Sequence, residues 1–181
     1  SLGEDGEYTA DLAPTPGLAN TSGEPRAQIA RENAGGVYIS EFMASPDEQP
    51  YDWLEVYNAS SQAMDVSGWG RSDDAASPRK YRFPEGAVIQ PGDYLTLFLS
   101  GTAGVDSDGV LNASFRLSAD GGYSVTLSRP DGTIIDRVYV TQQYEDITFG
   151  RPASGSGSYY FTLNTPLARN DGEAFLGRAQ Q

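Results

Sequence analysis

The sequence predicts an all-β protein built as an antiparallel sandwich, on three observations. Short alternating or β-branched runs recur from Val37 onward, turn residues separate them every dozen residues or so, and no stretch there keeps helical spacing. Val37 to Met43 is rich in β-branched and aromatic residues and stops before Ser45-Pro46-Asp47. Trp53 to Asn58 sets Leu54 and Val56 on one face and Trp53, Glu55 and Tyr57 on the other. Asp93 to Leu99 follows a Pro91-Gly92-Asp93 turn and brings Leu95, Leu97 and Leu99 together. Tyr123 to Ser128 alternates Tyr123, Val125 and Leu127 with Ser124, Thr126 and Ser128. Thr133 to Val140 follows Pro130-Asp131-Gly132, a hairpin-type turn. Strands with one apolar face each must cover it, and two sheets packed face to face do so.

Composition narrows the chemistry. The chain has 181 residues, enough for one domain plus linker, with 25 acidic and 12 basic side chains for a formal charge of −13. Its 21 glycines and 11 prolines supply turns, and 11% aromatic residues supply a core that acidic disordered tails lack. The absence of cysteine excludes disulfides, thiolate metal sites and cysteine nucleophiles. The absence of histidine removes Ser–His–Asp chemistry and imidazole ligands. The longest apolar-leaning run, Tyr94 to Leu99, is far too short to cross a bilayer, so no membrane insertion is expected. The negative charge opposes phosphate backbones, and nucleic acid is not an expected partner. Only Arg79, Lys80 and Arg82 cluster, and Lys80 is the single lysine.

The ends of the chain resemble one another. Gly6-Glu7-Tyr8, Leu12, Thr15-Pro16, Leu18-Ala19-Asn20 and Gly23-Glu24 parallel Gly157-Ser158-Tyr159, Leu163, Thr165-Pro166, Leu167-Ala168, Asn170 and Gly172-Glu173. The expectation is a tandem array, with the chain starting in mid-pattern as an excised piece. Residues 1–20 would close a preceding repeat. Residues 21–36 would be a linker with a short helix over 25–34, started by Pro25 and stopped by Gly35-Gly36. Residues 37–170 would form the sandwich, and 171–181 a C-terminal linker near Phe175 and Leu176.

Residues 37–170 resemble the lamin tail domain in its bacterial form. The stretches that carry the resemblance are Val37 to Met43; Asp52 to Asn58 with Val66-Ser67-Gly68-Trp69; Tyr81-Arg82-Phe83-Pro84 with Pro91-Gly92-Asp93-Tyr94-Leu95; and Phe115, Leu117, Gly132 to Asp136 and Thr165-Pro166. The resemblance implies an immunoglobulin-like β-sandwich, here with an N-terminal extension. It further implies a secreted or surface-attached bacterial protein in which the module positions or adheres and does not catalyse. Its partners would be proteins, cell-surface glycans and neighbouring repeats of the same chain.

Candidate site residues follow from chemistry. Trp53 and Trp69 offer either a sugar or peptide platform or core packing worth about 2–3 kcal/mol each. Glu41 and Glu55 on neighbouring strands could act as acid and base on a glycoside; the competing reading pairs each with turn amides or with Arg71 or Arg82. Asn58, Gly68 and Gly92 read as turn formers, and Tyr81, Phe83 and Pro84 as strand and turn framework. Asp106-Ser107-Asp108-Gly109 alternates oxygen ligands suited to calcium, with Asp120, Asp73 and Asp74 as further carboxylates if loops converge. This would make a calcium-stabilised carbohydrate-binding sandwich the alternative function. The run lacks the spacing of an EF-hand loop. No other cofactor is implied. Asn20, Asn58 and Asn112 each begin an Asn-x-Ser sequon.

Overall fold

A computed structural model of the chain describes residues 36–44, 46, 51–74 and 76–151, with the backbone of 160–163 and 175–178. The expected terminal repeat segment 1–20 and the helix over 25–34 lie outside the described residues. Every regular element among those described is a strand: β1 Val37–Met43, β2 Asp52–Asn58, β3 Met64–Asp65, β4 Gly70–Ser72, β5 Tyr81–Arg82, β6 Val88–Ile89, β7 Tyr94–Leu99, β8 Gly104–Val105, β9 Leu111–Asn112, β10 Tyr123–Ser128, β11 Ile134–Val140, β12 Ile147–Gly150, β13 Tyr160–Leu163 and β14 Phe175–Arg178. The five strands expected from alternation occur within a residue of their expected ends. The interval 171–181, expected as linker, contains β14, which pairs with β13 and carries the sheet past residue 170. Among the described residues no helix is long and apolar enough to cross a membrane.

Two sheets make the sandwich. The larger runs β14-β13-β12-β1-β2-β7-β9-β8 and the smaller β11-β10-β4-β5, with a separate β3-β6 ribbon. Among the described residues all the pairings are antiparallel except β7 with β9. The core between the sheets holds Ile39, Phe42, Leu54, Val56, Leu97 and Leu99 from the larger sheet against Val125, Leu127, Val138 and Val140 from the smaller. These ten side chains are 0–1% exposed, and each contributes about 1.5–3 kcal/mol by leaving water.

One irregularity decides which residues face the core. β1 pairs Ile39 with Val56 and Glu41 with Glu55, so Ser40 is an extra residue and the strand bulges there. Strict alternation would send Val37, Ile39 and Glu41 to one face. The bulge resets the phase, so Phe42 joins Ile39 in the core and Glu41 turns to the opposite face.

That opposite face is itself covered. Tyr38, Glu41, Met43, Trp53, Glu55 and Tyr57 are each at most 6% exposed although none belongs to the core cluster. Tyr38, Tyr57 and Tyr94 stand in cross-strand register on β1, β2 and β7. Their rings meet at 5.6 Å and 4.6 Å between centroids, within the range where aromatic pairs attract.

Candidate functional site

The two glutamates proposed for acid–base work are brought together. Glu41 on β1 stands directly opposite Glu55 on β2, and both are fully buried. Glu55 accepts a hydrogen bond of 2.8 Å from the Ser40 hydroxyl, which the bulge supplies. Adjacency suits a carboxylate pair, yet a hydrolase also needs its acid and base within reach of substrate. Zero exposure denies that reach. Of the two arginines expected to neutralise them, Arg82 is exposed on β5 and Arg71 sits opposite Leu127, its guanidinium 5.8 Å from the Phe83 ring. Arg71 therefore points into the sandwich, away from the face that carries the glutamates.

The tryptophans take different places. Trp53 is 2% exposed on the covered outer face, and Trp69 is half-buried against the core, so neither is an open platform. Asn58 is fully buried and uses its whole side chain. Its amide donates to the Gln62 and Ile89 carbonyls at 2.8 and 2.9 Å, and its oxygen accepts from the Ser60 amide and hydroxyl. A sequon asparagine so engaged cannot present itself to a glycosyl donor. Gly68 and Gly92 hold left-handed φ of 69° and 77° at turns. Tyr81 and Phe83 pack edge to face at 5.6 Å.

The calcium candidates do not converge. Among the described residues no group of three or more carboxylates could hold a metal ion, so Asp106, Asp108 and Asp120 are not assembled. Asp106 Oδ1 instead accepts from the Asp108 and Val110 amides at 3.0 and 2.9 Å, a side-chain turn before β9. Asp73 pairs with Lys80 at 2.8 Å, and the Asp74 carboxylate takes the Ala76 amide.

What the structure does assemble is a groove that sequence reading missed. It encloses about 270 Å³ between Lys80, Tyr81, Arg82 and Pro84 on one side and Ala103, Gly104 and Val105 on the other. β5 ends the smaller sheet and β8 ends the larger, so the groove lies between two sheet edges. Val105 is 53% exposed, while burial pushes the Tyr81 phenol up to about 12 against the pull of Arg71. Lys80 is held by Asp73 and Arg79 donates to the Pro130 carbonyl at 2.6 Å. Arg82 makes no ion pair among the described residues. The cluster Arg79-Lys80-Arg82 was visible in the sequence; what it lines was not, because β8 lies over twenty residues away.

A comparison with curated proteins gave no match. The family model for the Lamin Tail Domain, an immunoglobulin-like domain, matches residues 30–142, from just before β1 to just past β11. The matched interval is over half of the chain and contains the whole smaller sheet with β1, β2, β7, β8 and β9 of the larger, and the chain belongs to the lamin tail domain family.

Proposed function

We propose that this domain is a non-catalytic interaction module that spaces and positions neighbouring parts of a larger extracellular or surface protein, in tandem with similar repeats, and that its partners are proteins. One observation supports this most: Glu41 and Glu55, the carboxylates best placed for hydrolysis, have no exposed surface. Exposed polar chemistry lies instead in turns and at sheet edges held by a rigid sandwich, the usual place for recognition.

The test is an activity panel. The purified chain should turn over no ester, phosphoester or glycan, and Glu41→Gln and Glu55→Gln should change only stability. Turnover at enzyme-like rates that either substitution abolishes would overturn the reading. A protein and glycan array supplies the positive arm, with protein ligands expected. Retention of glycans alone would move the assignment to carbohydrate binding, for which exposed Tyr139 and Tyr144, 48% and 53% accessible, are the candidate contacts.

A further inference from the structure

The geometry points to the outer face of the larger sheet as the seat of the chain's own segment 25–34, docked through Arg31. This rests on the interaction-module reading and says how the domain holds what precedes it, since a seated segment passes on its orientation. Three features support it.

The first is the face. In register across β1, β2 and β7 stand Tyr38-Tyr57-Tyr94, then Glu41-Glu55-Thr96, then Met43-Trp53-Phe98. The smaller sheet and the β3–β6 ribbon send their apolar side chains into the core on the other side. Even so, Glu41 and Glu55 have no exposed surface. Two carboxylates side by side and out of water call for a cation against them. Thr96 Oγ1, buried without a hydrogen-bond partner among the described residues, puts a third acceptor in that row. The second is the segment. As a helix it sets Ala27, Ala30, Arg31 and Ala34 at i, i+3, i+4 and i+7, one face with a single charge among alanines. Alanines let a helix lie close over tyrosine and tryptophan rings, and a guanidinium brings five donors to the three acceptors. Glu32 falls on the opposite side of that helix, away from the carboxylates. The third is reach. The Gly36 carbonyl accepts from the Ala59 amide at 3.1 Å, which fixes the chain to the sheet beside the tyrosine row. Ten helical residues span about 15 Å, and Tyr38 to Met43 spans about 16 Å of strand. Turning back at Gly35-Gly36, the segment covers all three rows and brings Ala30 and Arg31 over the middle one.

The experiment uses the full chain, whose lack of cysteine gives engineered pairs no background. With a short bifunctional thiol reagent, Ala30→Cys should cross-link to Thr96→Cys. It should not cross-link to Ser124→Cys, which lies on the outer side of the smaller sheet. In a Trp69→Phe protein Trp53 is the single indole. There Arg31→Glu should raise acrylamide quenching of Trp53 at least about threefold, and Arg31→Lys should recover most of the protection. Arg26→Glu makes the same change in charge off the alanine face and should leave quenching nearly unchanged. No cross-link to Thr96, equal cross-linking to both positions, or equal quenching by both charge reversals would overturn the seat. Residues 152–174 are the rival cover. If Ala168→Cys cross-links to Thr96→Cys and Ala30→Cys does not, the segment is wrong. Protein ligands retained on the array without the cross-link remove this seat alone; the cross-link without array ligands removes the interaction-module reading.

Discussion

Asp136 and Arg151 form a buried ion pair placed where β1 runs past the end of β12. The β1–β12 ladder pairs Glu41 with Gly150 and Phe42 with Phe149, and at Ile39 side chains meet the strand's amide and carbonyl. The Asp136 carboxylate takes the Ile39 amide at 2.8 Å, Arg151 Nε donates to the Ile39 carbonyl at 2.8 Å, and the two side chains bind each other. Arg151 also lies 4.7 Å from the Tyr38 ring, and its own amide reaches the Ser40 carbonyl. One charge pair thus completes the bulged strand and ties β11 to β1.

Breaking that pair from one side should be costly. Removing one partner of a buried pair typically costs about 3–5 kcal/mol, because the other charge stays buried. Asp136→Ala and Arg151→Ala should each lower stability on that scale in urea denaturation, and the double replacement should cost less than their sum. Additive losses would mean the two act independently.

Alkaline pH should unfold the protein early. Burial raises the phenols of Tyr38, Tyr81 and Tyr123, with Tyr81 reaching about 12. The unfolded chain gives up these protons near pH 10 while the folded one keeps them. Stability is therefore full below pH 10 and falls as pH rises toward 12, by at most about 1.4 kcal/mol per pH unit for each tyrosine. Denaturation midpoints between pH 8 and 12, read beside phenolate absorbance, check this. A flat profile would contradict it.

Two glycines should respond differently to alanine. At Gly121, φ is 73° and an added Cβ would lie 2.3 Å from the Thr141 carbonyl carbon, so strain and collision combine. At Gly68, φ is 69° but the nearest atom is Pro130 Cγ at an ordinary 3.7 Å, so strain acts alone. Left-handed strain costs about 1–2 kcal/mol and overpacking about 1–3 kcal/mol more. Thermal melts should rank Gly121→Ala well below Gly68→Ala, and equal losses would refute the collision.

Asn58→Ala should destabilise by about 1–3 kcal/mol, because the Ile89 carbonyl and its neighbours lose a buried partner. Asn58→Asp should recover little, since it keeps the acceptor but not the two donated bonds. Urea midpoints compare the three proteins.

Metal removal should change nothing. Asp106 already serves two amides, so melting curves in calcium and in EDTA should superimpose. A chelator-sensitive melt would restore the calcium reading.

The sandwich was legible because alternation is local. Leu54, Val56, Leu97, Val125 and Leu127 declare their faces within single strands. Glu41 did not, since the Ser40 bulge reverses the phase of β1 and leaves no mark on composition. The short strands β4, β5, β8 and β9, two or three residues each, carry too little pattern to be read. Their places in the sheets depend on elements far along the chain, as when Gly70 of β4 pairs with Ser128 of β10. The groove between β5 and β8 was hidden for the same reason. Paired carboxylates such as Glu41 and Glu55 look alike in sequence whether sealed or open, because solvent access belongs to the assembled sheets.

Lys80 gives the molecule an experimental handle. As the single lysine, 38% exposed on the groove wall, it directs any dye or cross-linker selective for side-chain amines to one address. A fluorophore placed there would report occupancy of the groove by its own change in brightness, and a photo-reactive tag would capture whatever lies against it.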